Sequence, residues 1–167
     1  LFSFNSGKMD VTNAYFPDGT GEEFDVTGLS LRGTYAKILT DRLKFGVSIK
    51  YIRENIYTTA MQTIAIDLGS NFDTGIYGVV LGMSVTNFGP DVKFSGEGLE
   101  QQVADSLSVD GALSKLTDKF PIPMSFRVGI KKDIINDSIH KLTVAMDGVN
   151  PVDYVVTGNI GLEYSWL

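Results

Sequence analysis

The chain contains no cysteine, which excludes a disulfide framework and any thiolate metal site while leaving the compartment open. It has no apolar run approaching about 18 residues, the length from which a transmembrane helix is read, so a helical membrane span is excluded. Positive charge is scarce: with 14 Lys and Arg against 20 Asp and Glu the net charge is −6, and no basic stripe offers a footprint for nucleic acid. There is one histidine, His140, at a predicted strand start, so the sequence offers little for a Ser-His-Asp arrangement. Phosphate-cradling loops, nucleophile elbows and paired zinc histidines are also missing. No catalytic residue, metal ligand or cofactor site is therefore assigned. The chain starts at Leu1-Phe2-Ser3-Phe4, already strand-like, and the natural N-terminus is expected to lie upstream of it.

What the chain does have is alternation. Leu43, Phe45, Val47, Ile49 and Tyr51 are separated by Lys44, Gly46, Ser48 and Lys50. Leu81, Met83 and Val85 alternate with Gly82, Ser84 and Thr86, and Met124, Phe126, Val128 and Ile130 alternate with Ser125, Arg127, Gly129 and Lys131. Ile160, Leu162, Tyr164 and Trp166 are set against Asn159, Gly161, Glu163 and Ser165. A period of two is the β-strand period, because successive side chains point to opposite faces. The polar partner face is built from Gly, Ser, Thr and Ala rather than from long charged side chains. That composition suits a crowded or water-filled lumen with the apolar face turned to lipid. The fold class expected is all-β: an antiparallel transmembrane β-barrel with about eight strands present, as a partial or open part of a larger barrel.

Strands are predicted near 26–39, 43–55, 62–72, 78–88, 122–131, 139–147 and 156–167, with a weaker opening strand over Leu1–Met9. Breakers between them alternate in size. Thr40-Asp41-Arg42, Asp73-Thr74-Gly75 and Asp133 to Ser138 are short; Asp10 to Asp25, Asn55 to Met61, Gly89 to Pro121 and Gly148 to Asp153 are read as long. Short turns at one rim and long loops at the other is outer-membrane barrel construction. Aromatic residues gather toward both ends of the strands. Tyr35, Phe45, Phe72, Tyr77, Tyr164 and Trp166 lie toward the short turns, and Tyr51, Tyr57, Phe88, Phe120 and Tyr154 toward the long loops. Two interfacial girdles have this pattern. The whole of 1–167 is read as one barrel segment with a long outer loop at 89–121. In that loop Leu99, Val103 and Leu107 fall at helical spacing, which admits either a short amphipathic helix or a polar outer loop.

Phe45, Val47, Ile49, Leu81, Met83, Phe126, Val128, Leu162 and Tyr164 are expected on one face, and Gly46, Ser48, Lys50, Gly82, Arg127 and Glu163 on the other. Ionisable residues segregate with the second set. Arg32, Lys50, Asp67, Arg127, Lys131, Lys141 and Glu163, together with Lys44 and Asp147, are the lumen-lining candidates. They are read either as ion pairs that brace the wall or as a conduit lining that sets selectivity. The loop Pro17-Asp18-Gly19-Thr20-Gly21-Glu22-Glu23, with Asp25, gathers four carboxylates but lacks EF-hand spacing; Asp18-Gly19 reads as a turn.

Specific strings resemble a known family. Met9-Asp10-Val11-Thr12 followed by Pro17-Asp18-Gly19-Thr20-Gly21-Glu22, and Tyr35-Ala36-Lys37-Ile38-Leu39-Thr40-Asp41-Arg42-Leu43-Lys44-Phe45-Gly46 running on into Lys50-Tyr51-Ile52-Arg53-Glu54, are similar to segments of the PorV/PorQ family. Asp67-Leu68-Gly69, Asp73-Thr74-Gly75, Leu81 through Pro90 and Gly161-Leu162-Glu163-Tyr164 fit in the same order. The resemblance implies an outer-membrane barrel related to the long-chain fatty-acid transporters. It also implies a role in type IX secretion, binding and shuttling secreted cargo proteins among secretion-system components, with membrane lipid as surroundings. The alternative function is an outer-membrane transporter or channel for hydrophobic small molecules. Family barrels begin with a plug-like region and continue past the Gly-Leu-Glu-Tyr strand, so the chain is expected to be an internal or C-terminal-half fragment, with a complete eight-stranded barrel as the alternative. The 91–120 loop departs from the family pattern.

Overall fold

Branched and aromatic residues alternating with small ones become long strands. The computed structural model describes residues 1–102, 112–114 and 118–166. Its strands are β1 (Phe2–Asn5), β2 (Met9–Asp10), β3 (Glu23–Phe24), β4 (Val26–Thr40), β5 (Leu43–Ile56), β6 (Thr59–Asp73) and β7 (Val79–Phe88). They continue with β8 (Ser95–Gly96), β9 (Glu100–Gln102), β10 (Ala112–Ser114), β11 (Ser125–Asn136), β12 (His140–Pro151) and β13 (Thr157–Trp166). Nine strands form one antiparallel sheet in the order β1-β4-β5-β6-β7-β11-β12-β13, with β8 paired to β6. β2–β3 and β9–β10 are separate two-stranded pairs. At 14 or 15 residues, β4, β5 and β6 are well over twice the ordinary strand length of about 5–6.

The predicted strands are all present, but several connections differ. Asn55 to Met61 is not a long loop: Ile56 ends β5 and Thr59 starts β6, leaving Tyr57 and Thr58 as the turn. Polar residues there pair within the sheet instead of marking a loop. Asn55 Nδ2 donates to Thr27 Oγ1 at 3.0 Å, and Thr59 Oγ1 donates to the Ile56 carbonyl at 2.9 Å. Asp133 to Ser138 shrinks likewise, because a register shift between Asp133 and Ile135 absorbs one residue and β11 runs on to Asn136. β12 continues through Gly148 to Pro151, which still pairs with Ser125. The opening strand is split, with Gly7 at φ 77 between β1 and β2. Of the helical spacing in the long loop, Val103 and Leu107 lie outside the described residues. Leu99 sits in a 3-10 turn, Glu97–Leu99, followed by β9 rather than by an α-helix.

The chain divides into two compact units, Leu1–Arg32 with Tyr51–Ile64 and Pro90–Pro121, and Gly33–Lys50 with Ala65–Gly89 and Ile122–Leu167. In the first, β1 pairs with the start of β4 from Phe2↔Ser30 to Asn5↔Thr27, and β8 adds to Thr59 and Ala60. Val92 and Phe120 bridge the two arms of the long loop, Val92 is buried, and Phe94 stacks on Phe120.

The second unit carries the registers that define two faces. Phe72, Leu81, Ile130, Met146 and Ile160 stand in one row across five strands, and Leu68, Val85 and Phe126 in another. One residue along, the rows read Asn71, Gly82, Gly129, Asp147, Asn159 and Gly69, Ser84, Arg127, Val149, Thr157. The apolar face is left uncovered: Ile160 is 76% exposed, Leu162 71%, Trp166 78% and Ile49 59%. Its neighbour on β5, Lys50, is only 6% exposed. Among the described residues the buried hydrophobic side chains are Ala65, Val92 and Ile122, and no large side chain is fully buried.

Candidate functional site

The small-residue face of the second unit is where polar and charged groups converge, because glycine leaves room there. Gly46, Gly69, Gly82 and Gly129, from four neighbouring strands, floor a cavity of about 550 Å³ edged by Lys44 and Arg127. Gly129 is required by its neighbour: a Cβ there would lie 3.0 Å from the Cβ of Asp147. With only hydrogen at that position, Asp147 lies across β11 and reaches Arg127 diagonally, Oδ2 to Nε 3.4 Å.

The most enclosed charges sit further along β5. Lys50 Nζ lies 2.7 Å from Asp67 Oδ1, with side chains 7% and 14% exposed. The link that holds them is Asn87. The β6–β7 register shifts between Ile66 and Leu68, and Asn87, in the extra length of β7, takes φ 58. Asparagine tolerates that left-handed conformation better than most side chains. From it the Asn87 amide N–H donates to Asp67 Oδ1 at 2.8 Å, Nδ2 donates to the Pro123 carbonyl at 2.8 Å, and Oδ1 accepts from Lys50 Nζ. Asn87 precedes the long loop and Pro123 follows it, so this cluster ties the two ends of the loop together.

The remaining candidates are distributed along the same face. Lys141 pairs with Asp133 at 3.3 Å, and Thr143 donates to the same carboxylate at 2.7 Å. Glu163 stands opposite Thr143 in register. Lys131 and Lys44 line a smaller recess of about 180 Å³. Arg32 lies in the part of β4 that belongs to the first unit. Lys50 and Asp67 are thus brought together, whereas Arg127 and Lys141 pair with other aspartates. Asp147 is legible in the sequence as a polar-face residue; Asp133 is hidden in an apparent turn. Sequence reasoning does not single out Asn87. Its signal is an Asn at the alternation position after Leu81, Met83 and Val85, close before Gly89-Pro90.

His140 Nδ1 shares a 2.7 Å hydrogen bond with Tyr164 Oη, and its ring lies near those of Tyr164 and Trp166, at 6.0 and 6.3 Å between centroids. This is an aromatic cluster at a strand end. Asp137 in the adjoining turn accepts from the His140 and Ile139 amides, which hold its carboxyl below the usual carboxylate range. In the first unit three of the acidic loop's four carboxylates have partners. Glu23 meets Lys8, Asp25 accepts from Asn5 at 2.8 Å, and Glu22 accepts from Tyr57 Oη at 3.3 Å. The Glu22 charge raises the Tyr57 phenol above its ordinary pKa, and their hydrogen bond adds to the effect. Among the described residues no group of three or more His, Asp or Glu is placed to hold a metal ion. The chain matches no protein-family model and no curated protein.

Proposed function

We propose that this chain forms part of the wall of an outer-membrane β-barrel of the PorV/PorQ type, binding a secreted cargo protein and handing it on in type IX secretion. One observation carries the membrane part of the reading: rows of Phe, Leu, Ile and Met lie largely uncovered while the opposite face is glycine, serine and mostly paired charge. Fully burying each such side chain contributes about 1.5–3 kcal/mol. A water-soluble fold would turn these rows inward; lipid makes the exposed arrangement stable. Sheet strands of 10 to 15 residues fit the roughly 9–11 needed to cross a bilayer at a tilt. The charges then line a lumen, mostly as bracing pairs, and outer loops supply the surface for cargo. The role is binding rather than catalysis. The cargo function itself rests on the strings that resemble the family.

The test of the membrane reading is refolding into lipid vesicles. Val47→Arg on the apolar face is expected to block insertion, at a cost of about 2–4 kcal/mol at mid-depth, while Ser48→Arg inserts. The reverse ranking overturns it. Co-purification from outer membranes with identified cargo tests the secretion role. The second reading, passage of hydrophobic small molecules, draws on the 550 Å³ cavity; it predicts uptake of such molecules by vesicles that contain the protein.

A further inference from the structure

We infer that the small-residue face holds a binding site for a compact oxyanion of the phosphate type, in the recess between Lys44 and Lys131. The recess occupies about 180 Å³, below the roughly 300–1,000 Å³ of sites for drug-sized ligands, so its occupant is small. Its distinguishing feature is a pair of cations without bound carboxylates. Lys50, Arg127 and Lys141 on this face each have a carboxylate within 2.7 to 3.4 Å. Lys44 and Lys131, among the described residues, have neither an ion pair nor a side-chain hydrogen bond, and both line this one recess.

The register explains why Lys131 is left over. Its row reads Asp73, Val80, Lys131, Ala145, Gly161, so its immediate neighbours are apolar. The nearest acid in the row, Asp73, stands two strand spacings away, about 10 Å in Cα position. Asp73 is also occupied, accepting from the Gly75 amide at 2.8 Å. Asp133, two residues along the strand, is taken by Lys141 and Thr143 and meets Lys131 only through space, without an ion-pair contact. Asn71 also lines the recess, with its Oδ1 3.4 Å from where a Cβ on Gly82 would lie. Arg42 packs its guanidinium against Gly75 and supplies a third cation at the edge. Asp41 and Asp73 offset two of the three positive charges, leaving one in excess, which favours an anion of modest affinity. Lysine suits such a ligand as a point charge and arginine as a planar fork. The inference stands apart from the cargo role, since it rests on this row and recess alone.

The test is titration of the refolded protein, in detergent, with inorganic phosphate and separately with a short-chain, water-soluble phosphatidic acid, followed by phosphorus NMR. Saturable binding is expected. Lys44→Gln and Lys131→Gln should each weaken it about tenfold, equivalent to about 1.4 kcal/mol. Lys132→Gln, on the opposite face beside Val79 and Val144, should leave it unchanged. Lys44→Arg should retain binding, which separates lost charge from lost fold. Tighter binding of the phosphatidic acid, lost in the same variants, supports the site with a lipid headgroup as the source; equal binding supports it with soluble phosphate. No saturable binding, or binding unchanged in the Lys44→Gln/Lys131→Gln double variant, overturns the inference.

Discussion

Lys50 and Asp67 offer the sharpest test of how this face is built. Lys50→Met leaves Asp67 enclosed and hydrogen-bonded to the Asn87 amide but without the Lys50 charge. Asp67→Asn leaves a lysine that is 6% exposed facing a neutral amide. Breaking a buried pair from one side costs about 3–5 kcal/mol, because the remaining charge has lost both water and partner. The low end, about 3 kcal/mol for each single variant, applies because Asp67 keeps some solvent contact. In Lys50→Met/Asp67→Asn neither member of this pair is left charged against a neutral partner, and the carboxamide introduced in place of the Asp67 carboxylate still offers an oxygen to the Asn87 amide. The double variant should therefore lose about 3 kcal/mol rather than about 6, a coupling of about 3 kcal/mol. Urea unfolding of the refolded protein, followed by the fluorescence of the single tryptophan, Trp166, measures all four corners of the cycle. Additive losses, or single variants that each lose less than about 1 kcal/mol, would show that water screens the pair and that the cluster is no buried lock.

Other positions give independent checks. Gly129→Ala presses on the Asp147 Cβ and the Met146 carbonyl at 3.0 and 3.1 Å, so a loss of about 1–3 kcal/mol is expected in the same unfolding assay. Gly75→Ala adds a side chain at φ 69, where it meets the Arg42 guanidinium 2.6 Å away; it should cost about 1–2 kcal/mol from the backbone alone, and the same assay reads it. Asp137 has a depressed pKa, so its contribution is complete above the ordinary carboxylate range and is lost as pH falls through its folded value. Hydrogen exchange of the Ile139 and His140 amides should accelerate there, and in Asp137→Ala it should be fast at every pH. Tyr57 has the opposite sign. Its raised pKa keeps the Glu22 contact intact below the ordinary phenol value and loses it as pH rises through the folded one. Glu22→Gln should return the phenol titration, read by ultraviolet difference absorption, toward its ordinary range.

Strands and their two faces are legible in the residues alone, because a period of two is a local property: Phe45, Val47 and Ile49 must oppose Gly46, Ser48 and Lys50 in any extended chain. The sharing of one face by charge and glycine follows from the same alternation. Connection lengths do not follow from it where polar residues pair inside the sheet, as Asn55 does with Thr27, 28 residues away. Partners do not follow either. Whether a lysine is braced or left over depends on the residue beside it on the next strand, and register sets that. Lys50 on β5 meets Asp67 on β6, and Asn87, at the register shift between β6 and β7, contacts both. Lys131 meets Val80 and Ala145 instead of a carboxylate, because β7 and β12 present those positions to it. Strand pairing is a relation between segments far apart in the chain, and one residue of slip would exchange every neighbour, so the partners are fixed by the folded sheet and not by the local pattern.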